Sequence, residues 1–190
     1  MSTQYRWLNE PASWRGGAGH LTVTTDARTD FWRHTFYGFT RDNGHAYLRP
    51  ISGDFTCTAT VGGEYDTLYD QAGLMLRVDA ENWIKCGIEY TDGLMHFSVV
   101  VTNSVSDWSV VPLPRVAPSD PLSVRLTRHA DAVRVQFRLG ETPWQLARLC
   151  HFSGADGHAG VMACSPEREG FRATFSNIEV GPPIPRTLHE

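Results

Sequence analysis

The chain has 190 residues, 41% of them hydrophobic and 20% charged, with a net charge of −4 at neutral pH. That length predicts a single domain over 1–190, and the apolar share is enough for a real core, which excludes bulk disorder. The acidic balance speaks against a nucleic-acid partner, and no apolar run approaches the ~18 residues of a membrane-spanning helix.

Met1–Glu10 lacks the apolar segment of a signal peptide, so the expectation is a soluble cytoplasmic protein with no membrane contact. From there the hydrophobic period is close to two almost throughout. Phe55, Cys57, Ala59 and Val61 alternate with threonines. Ala72, Leu74, Leu76 and Val78 alternate with Gln71, Gly73, Met75 and Arg77. Ile84, Cys86, Ile88 and Tyr90 alternate with Trp83, Lys85, Gly87 and Glu89. Phe97, Val99 and Val101 alternate with Ser98, Val100 and Thr102, and Val124–Leu126 and Val133–Phe137 continue the pattern. Turn residues separate the runs at Asp42-Asn43-Gly44, Gly62-Gly63, Thr91-Asp92-Gly93 and Gly154-Ala155-Asp156-Gly157. No window reads as an amphipathic helix. About a dozen short strands at this spacing predict an all-β sandwich of two antiparallel sheets. The proline-rich tail 181–190 reads as an extended strap or a loose end.

Side chains at i, i+2 and i+4 share a sheet face. One face of three consecutive strands is apolar; the other carries Gln71, Met75 and Arg77, then Lys85 and Glu89, then Ser98 and Thr102. Lys85 and Glu89 lie about 13 Å apart at ~3.3 Å per residue. If these strands are neighbours, that second face is either a solvated sheet surface or the lining of a concave groove.

The cysteines, Cys57, Cys86, Cys150 and Cys164, form no Cys-x-x-Cys pair, which removes the common zinc and redox spacings. They read as reduced thiols; a Cys150–Cys164 disulfide rests only on proximity in sequence. The histidines form neither His-x-His nor His-Glu-x-x-His, and His151, Asp156 and His158 read as turn formers rather than a metal site. Neither a metal nor a cofactor is expected.

Several segments carry a family resemblance: Thr29-Asp30-Phe31-Trp32, Tyr69-Asp70-Gln71-Ala72-Gly73-Leu74-Met75-Leu76-Arg77, Asn82-Trp83-Ile84-Lys85-Cys86-Gly87-Ile88-Glu89 and Ser106-Asp107-Trp108-Ser109. Together they resemble the regulation-of-enolase protein family, from Trp7 through Val180. The resemblance implies a concanavalin A-like jelly roll, a fold that hosts lectins, glycanases and plain scaffolds alike. The Gln-Ala-Gly-Leu-Met and Trp-Ile-Lys runs are also similar to the sandwich modules appended to bacterial β-xylosidases.

Glycoside hydrolysis needs two carboxyls about 5–9.5 Å apart, and the paired-carboxylate strand of glycanases with this fold is missing. Glu64/Asp66 and Glu167/Glu169 read as solvated loop pairs. Glu89 would need Asp107 as its partner, and Lys85 offers Glu89 a simpler one. The reading therefore leans away from an enzyme and names no catalytic residue. Sugar binding needs only an aromatic platform and a few planar polar groups. The expected ligand-binding set is Trp32, His34, Gln71, Arg77, Lys85, Glu89, Ser98, Asp107 and Trp108, taking a carbohydrate or sugar-derived metabolite on a concave sheet. The alternative is a regulatory protein that acts on a metabolic enzyme, as monomer or homodimer.

Overall fold

The computed structural model describes residues 4–188. Every regular element among them is a strand: β1 (Arg6–Leu8), β2 (Ser13–Gly17), β3 (His20–Thr24), β4 (Phe31–Arg33), β5 (Thr40–Asp42), β6 (His45–Ile51), β7 (Phe55–Gly63), β8 (Gln71–Arg77), β9 (Asn82–Thr91), β10 (Leu94–Asn103), β11 (Val105–Pro112), β12 (Leu122–His129), β13 (Ala132–Leu139), β14 (Gln145–His151), β15 (Gly157–Cys164) and β16 (Arg172–Gly181). No helix among them is long and apolar enough to cross a membrane. Two seven-stranded antiparallel sheets run β1-β6-β15-β8-β9-β10-β11 and β14-β13-β12-β7-β16-β3-β2, with β4–β5 as a separate hairpin. This is the all-β jelly-roll sandwich. The alternation named from sequence falls on β7, β8, β9, β10, β12 and β13; the three-residue strands β1, β4 and β5 are too short to show a period.

The apolar alternation fills the space between the sheets. Ala72, Leu74, Leu76, Ile84, Cys86, Ile88, Phe97, Val99 and Val101 of the first sheet meet Cys57, Ala59, Val61, Val124, Leu126, Val133, Val135 and Phe137 of the second. Phe97 and Phe137 stack across the gap with ring centres 4.4 Å apart. At one open edge Arg148 of β14 bridges to β11, donating to Ser109 Oγ and Asp107 Oδ2, both at 3.0 Å.

The polar faces of β8, β9 and β10 do align into one surface, because the three strands are neighbours in the first sheet. Registers place side chains on its outer face in cross-strand rows. One row holds Arg77, Trp83, Thr102 and Ser106; the next Met75, Lys85, Val100 and Trp108; the last Gln71, Glu89 and His96. Between them lies a row with Gly73 opposite Gly87, where a Cβ on Gly73 would sit 1.9 Å from the Cys86 carbonyl oxygen. These strands approach too closely there for any side chain.

This outer face is not simply solvated. The β4–β5 hairpin lies on it, and Phe31 and Trp32 pack on Leu48, Met75, Trp83, Val100, Met162 and Cys164 as a second, smaller core. All four cysteines are free thiols. Within 182–188 the backbone is hydrogen-bonded to the second sheet. Ile184 N donates to Thr56 Oγ1 at 3.0 Å, and Arg134 donates to the carbonyls of Pro185 and Thr187; His189 and Glu190 fall outside the described residues. His151 and His158, read as turn formers, stand on strands of different sheets.

Candidate functional site

Asp30 is the residue around which the site is built. The Asp42-Asn43-Gly44 turn holds its backbone: Asn43 N and Gly44 N donate to the Asp30 carbonyl at 3.1 and 3.0 Å, and Asp30 N donates to Asn43 Oδ1 at 3.0 Å. Gly44 is required there, because a Cβ would fall 2.4 Å from the Phe31 ring and 2.6 Å from Cys164 Sγ. With Phe31 seated, the Asp30 side chain points down onto the sheet. Its Oδ1 accepts from Phe31 N at 2.8 Å and from Lys85 Nζ at 2.9 Å. Lys85 also donates to Gln71 Oε1 at 2.8 Å.

Lys85 and Glu89 are each only 3% exposed. Burial disfavours the Lys85 ammonium, but Asp30 beside it, with Cys164 and Glu89 adding to the effect, more than offsets this and raises its pKa. Burial pushes the Glu89 carboxyl up from its ordinary value, against the pull of Lys85 and of hydrogen bonds from Ser98 and Trp108. Lys85 therefore stays charged and neutralised by Asp30. Glu89 is the buried carboxyl with a displaced proton affinity, which is a feature enriched at functional sites.

Above this floor is a cleft of about 250 Å³. Asp30, Gln71, Lys85, Glu89 and Val100 line its base; Trp32, Tyr37, Phe39, Tyr69 and Trp108 supply aromatic walls; Arg41, Pro166 and Glu167 complete the rim. The walls brace one another. Tyr37 stands edge-on to Trp32 at 5.7 Å and stacks on Phe39 at 5.4 Å. Its hydroxyl lies 3.3 Å from that of Tyr69, which stands edge-on to Trp108 at 6.5 Å. That hydroxyl pair, with burial second, lifts the Tyr69 pKa to about 12. Tyr69 is held in the left-handed backbone region at φ 66°. Next to it, the fully buried Asp70 accepts from Asp66 N and Thr67 N at 3.1 and 3.0 Å and from Arg168 Nε at 2.9 Å. That one ion pair ties the loop carrying Tyr69 to the loop carrying Pro166 and Glu167.

Of the residues expected from sequence, Trp32, Gln71, Lys85, Glu89 and Trp108 come together here. Ser98 sits just beneath, accepting from Trp108 Nε1 at 3.1 Å. Three others are placed elsewhere. Arg77 forms a two-pronged ion pair with Asp42 at 2.7 and 2.8 Å, away from the cleft. His34 is exposed on the hairpin loop at φ 61°. Asp107 belongs to the opposite face of β11 from Trp108, where it holds Arg148. The structure thus separates Glu89 from Asp107, and the hydrolytic pair considered from sequence is not assembled. Nor does Lys85 hydrogen-bond Glu89; its bonds go to Asp30 and Gln71.

Sequence reasoning missed Asp30, Tyr37, Phe39, Arg41, Tyr69, Val100, Pro166 and Glu167 as cleft residues. One signal was available: five aromatics within residues 31–39 are dense for a solvated hairpin. Nothing local marked Glu167, whose place depends on how its loop packs.

Residues 7–183 match the family described as "Protein of unknown function (DUF1349)". The chain is 42% identical over 189 residues to Regulation of enolase protein 1 of Saccharomyces cerevisiae, covering 99% of this chain and 94% of that protein. A solved structure described as a functionally unknown protein from Saccharomyces cerevisiae superposes with a TM-score of 0.91 at 42% identity, covering 96% and 98% of the two chains. A GH43 protein, BlXynB of Bacillus licheniformis, superposes with a TM-score of 0.71 at 14% identity over 96% of this chain and 37% of that one, a likeness of fold alone.

Proposed function

The chain belongs to the DUF1349 family, and from that membership together with the cleft we propose that it is a non-catalytic binding protein for a sugar or sugar-derived metabolite. The observation that carries this reading is the composition of the cleft: five aromatic rings around a floor of Asp30, Gln71, Lys85 and Glu89. Aromatic faces suit the C–H faces of a pyranose, and planar amide and carboxylate groups suit its hydroxyls. Trp108 and Trp32 stack on the ring in this account, and Gln71 and Glu89 hydrogen-bond it. Lys85 orders the floor from beneath. The free thiols fit a reducing cytoplasm.

The test is thermal shift against monosaccharides, oligosaccharides, sugar acids and sugar phosphates. A ligand at about 100 times its dissociation constant adds about 2.7 kcal/mol, or roughly 5–11 °C for a domain of this size. The reading expects such a hit and its loss in Trp108→Ala; a flat panel contradicts it. A second reading, a protein partner, is favoured by the exposed apolar residues Phe36, Tyr37 and Leu68. The name of the yeast relative supports a metabolic enzyme as that partner. Retention of a stoichiometric partner that Phe36→Ala releases, with no sugar bound, is the outcome this second reading expects.

A further inference from the structure

Phe36 is unaccounted for by the fold. It is 93% exposed, the most open large hydrophobic side chain among the described residues. Its backbone is held at φ 63°, a region that costs a bulky residue free energy. The loop around it is nonetheless fixed: Gly38 N donates to the His34 carbonyl at 2.6 Å, His34 N to that of Phe39 at 2.8 Å, and Tyr37 N to that of Thr35 at 2.7 Å. The backbone, not packing of the ring, therefore sets where Phe36 projects. Its ring stands edge-on against Tyr37, with centres 5.1 Å apart and planes at 89°, and Tyr37 is a wall of the cleft.

At about 250 Å³ the cleft is larger than the ~150 Å³ cavity that holds one benzene ring. That is room for one six-membered sugar ring and its hydroxyls. Tyr37, a wall of the cleft, is half exposed, and Phe36 directly precedes it in the chain and touches its ring, so a further unit leaving on that side would meet Phe36.

Resting on the sugar-binding reading, we infer that the cleft takes a single terminal ring and that Phe36 is an outer subsite, an aromatic platform for the unit attached to it. The ligand class is then a saccharide recognised by its end rather than along its length. The strained backbone pre-sets the platform, so no loop ordering is lost on binding.

The experiment is calorimetric titration of the full chain with matched probes: D-glucose against cellobiose and maltose, and D-xylose against xylobiose. Wild type, Phe36→Ala and Trp108→Ala are compared. For at least one pair, the disaccharide binds the wild type about three- to tenfold more tightly than its monosaccharide, the size of one added aromatic contact. Phe36→Ala abolishes that difference and leaves monosaccharide affinity and melting point unchanged, while Trp108→Ala weakens both sugars. Equal affinities in the wild type, or a preference that survives in Phe36→Ala, overturn the subsite and leave the cleft reading standing. No binding of any probe to the wild type counts against the cleft reading, and the subsite falls with it.

Discussion

Replacing Lys85 with Met removes the ammonium between Asp30 and Gln71 and keeps a side chain of similar length. The Asp30 side chain is 11% exposed and its Oδ1 would retain only the Phe31 N–H. Breaking one side of a buried ion pair typically costs ~3–5 kcal/mol, because the remaining charge stays buried without its partner. For a domain of this size that corresponds to a melting point about 6–20 °C lower. Replacing both members, Lys85→Met with Asp30→Asn, removes the orphaned charge and should recover more than half of the loss, since neutralised buried pairs are often nearly neutral in stability. Denaturant unfolding of the wild type, both single variants and the double variant at pH 7 closes the cycle. A loss below about 1 kcal/mol in Lys85→Met, or two single losses that simply add in the double variant, would refute the view that Asp30 and Lys85 form one buried unit.

The raised pKa of Glu89 gives a pH signature. A carboxyl whose folded pKa lies above its unfolded value of 4.5 adds no penalty below that pH and costs stability as pH rises through the folded value. Glu89→Gln should therefore gain on the wild type as pH rises above 4.5 and hold level once the pH passes the folded value; a melting-point difference that does not vary with pH contradicts this. Gly73→Ala drives a Cβ into the Cys86 carbonyl, which is backbone and cannot rotate away, so the expected loss is about 3 kcal/mol or more, read by urea unfolding. Asp70→Asn loosens both loops at the rim and should cost about 2–3 kcal/mol, less than a fully buried pair because Arg168 is 26% exposed. It should also increase hydrogen exchange at 64–70 and 165–170 together; protection lost in one loop alone argues against a shared anchor.

The strands that frame the cleft were legible because each carries several turns of an alternating pattern, and a sheet translates that pattern directly into two faces. The same rule puts Lys85 and Glu89 on one surface; Trp108 and Asp107, both expected at the ligand from sequence, stand on opposite faces of β11. Alternation alone separates neighbours such as Asp107 and Trp108, and applying it to β11 would have removed Asp107 from the set. Arg77 lies on the expected face but too far along it, where Asp42 meets it. What the pattern does not carry is the hairpin that covers the sheet. Asp30 reaches Lys85 across 55 positions, and that contact depends on Gly44 admitting the Phe31 ring. Tyr69 and Glu167 owe their places to Asp70 and Arg168, which are 98 positions apart. Such contacts are set by tertiary packing and leave no local period.

The most direct measurement is a crystal structure of the chain with the sugar that gives the largest thermal shift. The account predicts density for one ring between Trp32 and Trp108, within hydrogen-bond reach of Gln71 and Glu89, with any further unit leaving toward Phe36. A sugar bound elsewhere on the sandwich, with this cleft empty, would contradict it.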